Sequence, residues 1–86
     1  MTAPSLRIAV LTVLSASEPY ALPHPQLLAE VNRLVRPAIT SDQLKEILSW
    51  LIDKVFVDFL TDPLDPDNAE ARRWFIREAG SAQLRR

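Results

Sequence analysis

Apolar residues recur at helical intervals along the first two thirds of the chain. Between Pro4 and Pro19, Leu6, Ala9, Val10, Val13 and Leu14 return every three or four positions, and Ile8 and Leu11 widen that stripe past one face. A second set, Leu27, Leu28, Val31, Leu34 and Val35, starts behind His24-Pro25 and ends before Pro37. Proline fits the first turn of a helix and blocks one elsewhere, so it marks both ends of this segment. The third set, Leu44, Ile47, Leu48, Leu51 and Ile52, follows Thr40 and Gln43, which are spaced for a capping box in which each side chain satisfies the other's backbone N–H. Asp42 adds negative charge to the positive first turn. Three helices are predicted.

Downstream the pattern changes. Val55, Phe56, Val57, Phe59 and Leu60 form a β-branched and aromatic run, punctuated by Asp58 and closed by Thr61, Asp62 and Pro63, which predicts a strand. The segment from Asn68 to Gly80 admits two readings. Asn68 as an N-cap, Ala69 to Ala71 and Gly80 as a C-cap describe a helix, whereas Trp74, Phe75 and Ile76 suit a returning strand. A lone strand leaves its backbone groups unpaired, which favours the hairpin. The expected fold is α+β and mainly helical: three helices followed by a two-stranded wing hairpin, in one domain over residues 1–86, since chains usually divide only when much longer.

This order of elements resembles a winged helix-turn-helix domain. The string Leu48-Ser49-Trp50-Leu51-Ile52-Asp53-Lys54-Val55-Phe56-Val57 is similar to the point where the recognition helix of such proteins runs into the first wing strand. Trp74-Phe75-Ile76-Arg77-Glu78-Ala79-Gly80 resembles their second strand and its exit. More narrowly, Thr40-Ser41-Asp42-Gln43-Leu44 followed by Leu48-Ser49-Trp50-Leu51 resembles small winged-helix proteins encoded in Mu-like prophages. The resemblance spans residues 5 to 80 and implies a small regulator that binds duplex DNA as a homodimer. In such folds the third helix enters the major groove with its N-terminal amides near a phosphate. The residues so implicated are Gln43 and Lys45 at the bases, and Arg36, Ser41, Arg72 and Arg73 at the phosphates. Val55 stands where these domains often carry glycine; ordinary strand angles at Val55 would move the turn one residue earlier, to Lys54.

Charge complicates that expectation. At about 100° per residue, Asp42, Glu46, Ser49 and Asp53 lie opposite the apolar side of the third helix, so its outward stripe is acidic and opposes a phosphate-lined groove. The strand and loop behind it carry Asp58, Asp62, Asp65, Asp67 and Glu70 without one positive charge. Basic residues gather at Arg72, Arg73, Arg77, Arg85 and Arg86, with Arg33 and Arg36 closing the second helix. They can serve phosphates, or pair with the acidic loop across the hairpin for little gain. Two functions therefore stay open: a DNA-binding regulator, or a protein-interaction module that turns its acidic helix face and wing to a basic partner.

Composition narrows the chemistry. With 48% apolar and 24% charged residues and a formal net charge of -1, the chain is too hydrophobic for disorder and too balanced for a polybasic tail. A short domain hides only roughly 60 to 65% of its unfolded surface, so apolar area is expected outside, with Ile8 and Leu11 on the first helix as the homodimer surface. The absence of cysteine removes thiolate chemistry and disulfides, and one histidine with one glycine leaves no recognisable catalytic pattern. No enzyme, cofactor or metal site is expected. His24, between two prolines at a helix start, reads as a cap or a solvent contact, and Asp62, Asp65, Asp67 and Glu70 lack the spacing and glycine of an EF-hand. Trp50, placed on the rim of the third helix beside Gln43, and Trp74 read first as core residues, with a partner surface as the alternative. Arg7, the run Ile8 to Leu14 and Ser15 to Ser17 have the layout of a secretory signal, but the run is short and contains Thr12. No stretch approaches the roughly 18 apolar residues of a membrane span, so a cytoplasmic protein without a membrane partner is expected.

Overall fold

The computed structural model of the chain describes residues 4–68 and 71–85, in which four helices pack around a three-stranded antiparallel sheet. In chain order these are α1 (Pro4–Ala16), β1 (Leu22–Pro23), α2 (His24–Leu34), α3 (Ser41–Asp53), β2 (Val57–Leu60), β3 (Arg73–Ile76) and α4 (Glu78–Leu84). Each of the three apolar stripes is buried: Val10 and Leu14 of α1, Leu27 and Val31 of α2, and Leu44, Ile47, Leu48 and Leu51 of α3 meet in one core with Val57, Trp74 and Ile76. A fully buried side chain of this kind contributes about 1.5–3 kcal/mol. Because α1 packs against α2, α3, β3 and α4, more than one of its faces is covered. That explains the width of its stripe and corrects one expectation: Leu11 is 3% exposed and belongs to the core, while its neighbour Ile8 is 55% exposed.

The hairpin reading of the segment from Asn68 to Gly80 holds for its strand, Arg73–Ile76. Val57, Asp58, Phe59 and Leu60 pair with Ile76, Phe75, Trp74 and Arg73. Two additions were not anticipated. Leu22 and Pro23 pair with Trp74 and Arg73 on the other side of β3, a two-residue edge strand on which proline is tolerated. Gly80 does not end a helix; it is the third residue of α4. A Cβ at Gly80 would run into the Phe56 carbonyl oxygen, and that oxygen accepts a 2.9 Å hydrogen bond from the Arg77 N–H. The start of α4 is thus pressed onto the corner between α3 and β2.

At that corner Val55 itself takes the left-handed conformation, with φ 61°, whereas Lys54 is ordinary at φ −87°, ψ 0°. The turn therefore does not fall at Lys54. The Phe56 N–H donates to the Leu51 carbonyl at 3.0 Å and the Val55 N–H to the Ile52 carbonyl at 2.9 Å, the bond pair of a Schellman motif. Glycine is the usual occupant of its left-handed position, and a β-branched residue there costs about 1–2 kcal/mol.

Candidate nucleic-acid interface

The start of α3 is built twice over. Thr40 Oγ1 accepts from the Gln43 N–H at 3.2 Å, and Gln43 Oε1 accepts from the Thr40 N–H at 2.8 Å, completing the capping box. The Gln43 side chain is thereby drawn back over its own helix start, leaving its amide NH2 to reach outward. Beneath it, Asn32 clasps the α2–α3 turn through one residue: its Oδ1 accepts from the Ile39 N–H at 2.9 Å and its Nδ2 donates to the Ile39 carbonyl at 3.2 Å. His24 Nε2 lies 2.8 Å from Ser41 Oγ and joins the first turns of α2 and α3. His24 is 2% exposed, so the expected cap or solvent contact is replaced by a buried tie between two helices. Neither role was legible from spacing; an asparagine inside an apolar helical stripe was the available signal for Asn32.

Outward from this base, Asp42, Gln43, Lys45, Glu46, Ser49 and Asp53 are exposed on α3, as the helical arithmetic places them. The wing side is reached across a cleft of about 200 Å³ lined by His24, Lys45, Ser49, Ile52, Arg72 and Trp74. Lys45 and Arg72, 27 positions apart in sequence (72 − 45), are thus brought to one opening. The Arg72 guanidinium lies over the Phe59 ring, 4.3 Å from its centre, and Arg72 Nε and Trp74 Nε1 are buried without a hydrogen-bond partner. Arg36 and Arg73 stand apart from this cleft. Arg36 Nη1 donates to the Asn32 carbonyl at 2.7 Å and closes the end of α2, and Arg73 lies along the wing beside Leu60, Thr61 and Asp62.

The acids and Trp50 are also placed. Asp58 pairs with Arg77 across the hairpin at 2.9 Å, an exposed pair of the kind that contributes about 0–1 kcal/mol. Asp62, Asp65 and Asp67 pair with no cation among the described residues, and Glu70 lies outside them. Trp50 lies on the same flank of α3 as Gln43, two turns further along. Its ring is half-buried on the α1 side, with Arg7 Cζ 3.8 Å and Lys54 Nζ 5.4 Å from its centre and the Phe56 ring 6.2 Å away. Among the described residues no cluster of acids and histidine could hold a metal ion, and no helix is long and apolar enough to cross a membrane.

No family model and no curated protein matches the chain. Solved structures do match it in fold. A MarR family transcription regulator superposes with a TM-score of 0.73 at 19% identity, over 96% of this chain and 48% of that one. The PcaV transcriptional regulator from Streptomyces coelicolor, solved in complex with its natural ligand, gives 0.73 at 22% identity, over 100% of this chain and 52% of that one. A probable transcriptional regulator from Pseudomonas aeruginosa gives 0.66 at 23% identity, over 96% and 54%. The architecture is therefore a winged helix of the kind found in MarR regulators, and the chain spans about half the length of the matched structures.

Proposed function

We propose that the chain is a non-enzymatic transcription regulator that binds duplex DNA as a homodimer in the cytoplasm. The observation that carries this reading is the shared opening of Lys45, Ser49 and Arg72 between the exposed side of α3 and the sheet. With α3 in a major groove, Lys45 and the amide end of Gln43 meet base edges, while Arg72 and Arg73 on the wing side and Arg36 and Ser41 at the α2–α3 turn meet phosphates. The reciprocal cap, the Asn32 clasp and the His24 tie present this helix start with little freedom left to lose on binding. The regulators matched in fold support the regulatory role, and the likeness of residues 40 to 51 to proteins of Mu-like prophages supports a prophage setting. Ile8 on α1 supplies the exposed part of the homodimer surface, with Leu11 packed beneath it.

Asp42, Glu46 and Asp53 oppose the phosphates, so binding rests on the surrounding cations and weakens as salt competes with them. With about three phosphate-facing arginines in each copy, about six per dimer, affinity for a labelled random duplex should fall about 1000-fold between about 50 and 200 mM salt in a fluorescence anisotropy titration. Arg72→Ala should weaken binding and make that dependence shallower. No binding at the lowest salt would reject the DNA reading for this chain. The exposed acids of α3 and the wing favour one second reading, a protein-interaction module for a basic partner, which predicts no duplex affinity at any salt.

A further inference from the structure

We infer that two copies of the chain associate knob into groove, the acidic leucine-tipped wing of each seating in the Arg7–Trp50 groove of the other. This rests on the homodimer reading above and names the surfaces that meet. The knob is Leu64, 95% exposed at the wing tip, with Leu60 behind it at 56%. Its loop is held in shape: the Leu64 N–H donates to Asp62 Oδ1 at 2.9 Å, the Asp65 N–H to the Asp62 carbonyl at 3.0 Å, and the Asn68 N–H to the Asp65 carbonyl at 3.2 Å. An apolar tip collared by Asp62, Asp65 and Asp67 repels phosphate and suits an apolar socket with a positive rim.

Such a socket exists on the same chain. Between α1, the end of α3 and α4 runs a groove of about 190 Å³ lined by Pro4, Ile8, Leu11, Trp50 and Phe56, in which Arg7 is the charged residue among those described. Arg7 and Lys54 both lie over the Trp50 ring, and no carboxylate among the described residues pairs with Arg7. Leu64 is 95% exposed in its own copy and so is not seated in that copy's groove, which stays open to the tip of a second copy. Each copy carries both surfaces, so the proposed twofold pair makes the contact twice, the knob of each copy in the groove of the other.

Sedimentation velocity over a concentration series tests this with a charge exchange. Leu64→Lys sets a cation against Arg7, and Ile8→Glu sets an acid against the wing collar. Each variant alone, folded by circular dichroism, should self-associate at least about tenfold more weakly than the natural sequence. An equimolar mixture should recover the dimer, since it offers one natural contact and one Lys–Glu contact. Arg7→Glu replaces Ile8→Glu if the latter does not fold. Leu64→Lys dimerising as strongly as the natural sequence, or a mixture that stays monomeric, would overturn the knob while leaving a homodimer in place. A natural sequence that is monomeric at every concentration would overturn both.

Discussion

The two ends of α3 are built by different means. At its start, Thr40 and Gln43 exchange hydrogen bonds three residues apart, and every atom of the cap lies in one short stretch of sequence. At its end, Lys54, Val55 and Phe56 turn the chain through a Schellman motif whose left-handed residue is a valine. That end is secured from a distance, by the Arg77 N–H on the Phe56 carbonyl and by Gly80 lying against the same oxygen. The end that faces a candidate ligand is rigid and relaxed, whereas the end that sets the direction of the wing is strained and depends on α4. Order at the site thus comes from the local cap together with the His24–Ser41 tie, and the wing angle from a long-range contact.

Breaking the long-range support should have the larger effect. Gly80→Ala places a methyl group against backbone, where no flexible side chain can yield, and should destabilise the fold by about 2–3 kcal/mol. For a chain of this length that lowers Tm by roughly 10–20 °C, measured by thermal unfolding with circular dichroism. A drop of under about 3 °C would show that α4 is not pressed onto the corner. Thr40→Ala removes the acceptor for the Gln43 N–H and should cost about 1 kcal/mol, read as a shift in the urea midpoint. Adding Gln43→Ala should cost less in that background than alone, because the two bonds form one reciprocal unit.

The same division governs what the residues disclosed before any coordinates. The stripes of α1, α2 and α3 and the capping box could be read because their partners lie within a few positions of one another. The pairing of Trp74 to Ile76 followed from the need of β2 for a neighbour. By contrast β1 has two residues and so no period, and the N-cap of α4, Arg77, makes no side-chain capping bond, so neither left a signal. The close approach at Gly80 leaves no signal of its own, because glycine at a helix end and glycine under a carbonyl look alike in sequence. His24, set between prolines, gave no hint of burial, since Ser41 is seventeen positions away. The cleft that joins Lys45 to Arg72 depends on the hairpin returning beside α3, which spacing along the chain does not encode.

Val55→Gly gives the smallest effect and the sharpest test of the strained end. Glycine takes φ 61° without steric cost, which returns the roughly 1–2 kcal/mol held in the left-handed valine. Against that, glycine enlarges the unfolded ensemble by about 0.4–1 kcal/mol, and little apolar burial is lost because Val55 is 53% exposed. The balance is a gain of about 0.5 kcal/mol, a rise of about 2–4 °C in Tm. A fall in Tm would mean that the covered half of the valine side chain contributes more than its backbone costs, and the corner would then be set by packing at Val55. Combining Val55→Gly with Gly80→Ala separates the two causes. If backbone strain and the close approach at Phe56 share one adjustment of the turn, relaxing residue 55 should recover part of the loss at residue 80. Strict additivity would show that the turn and its support act independently.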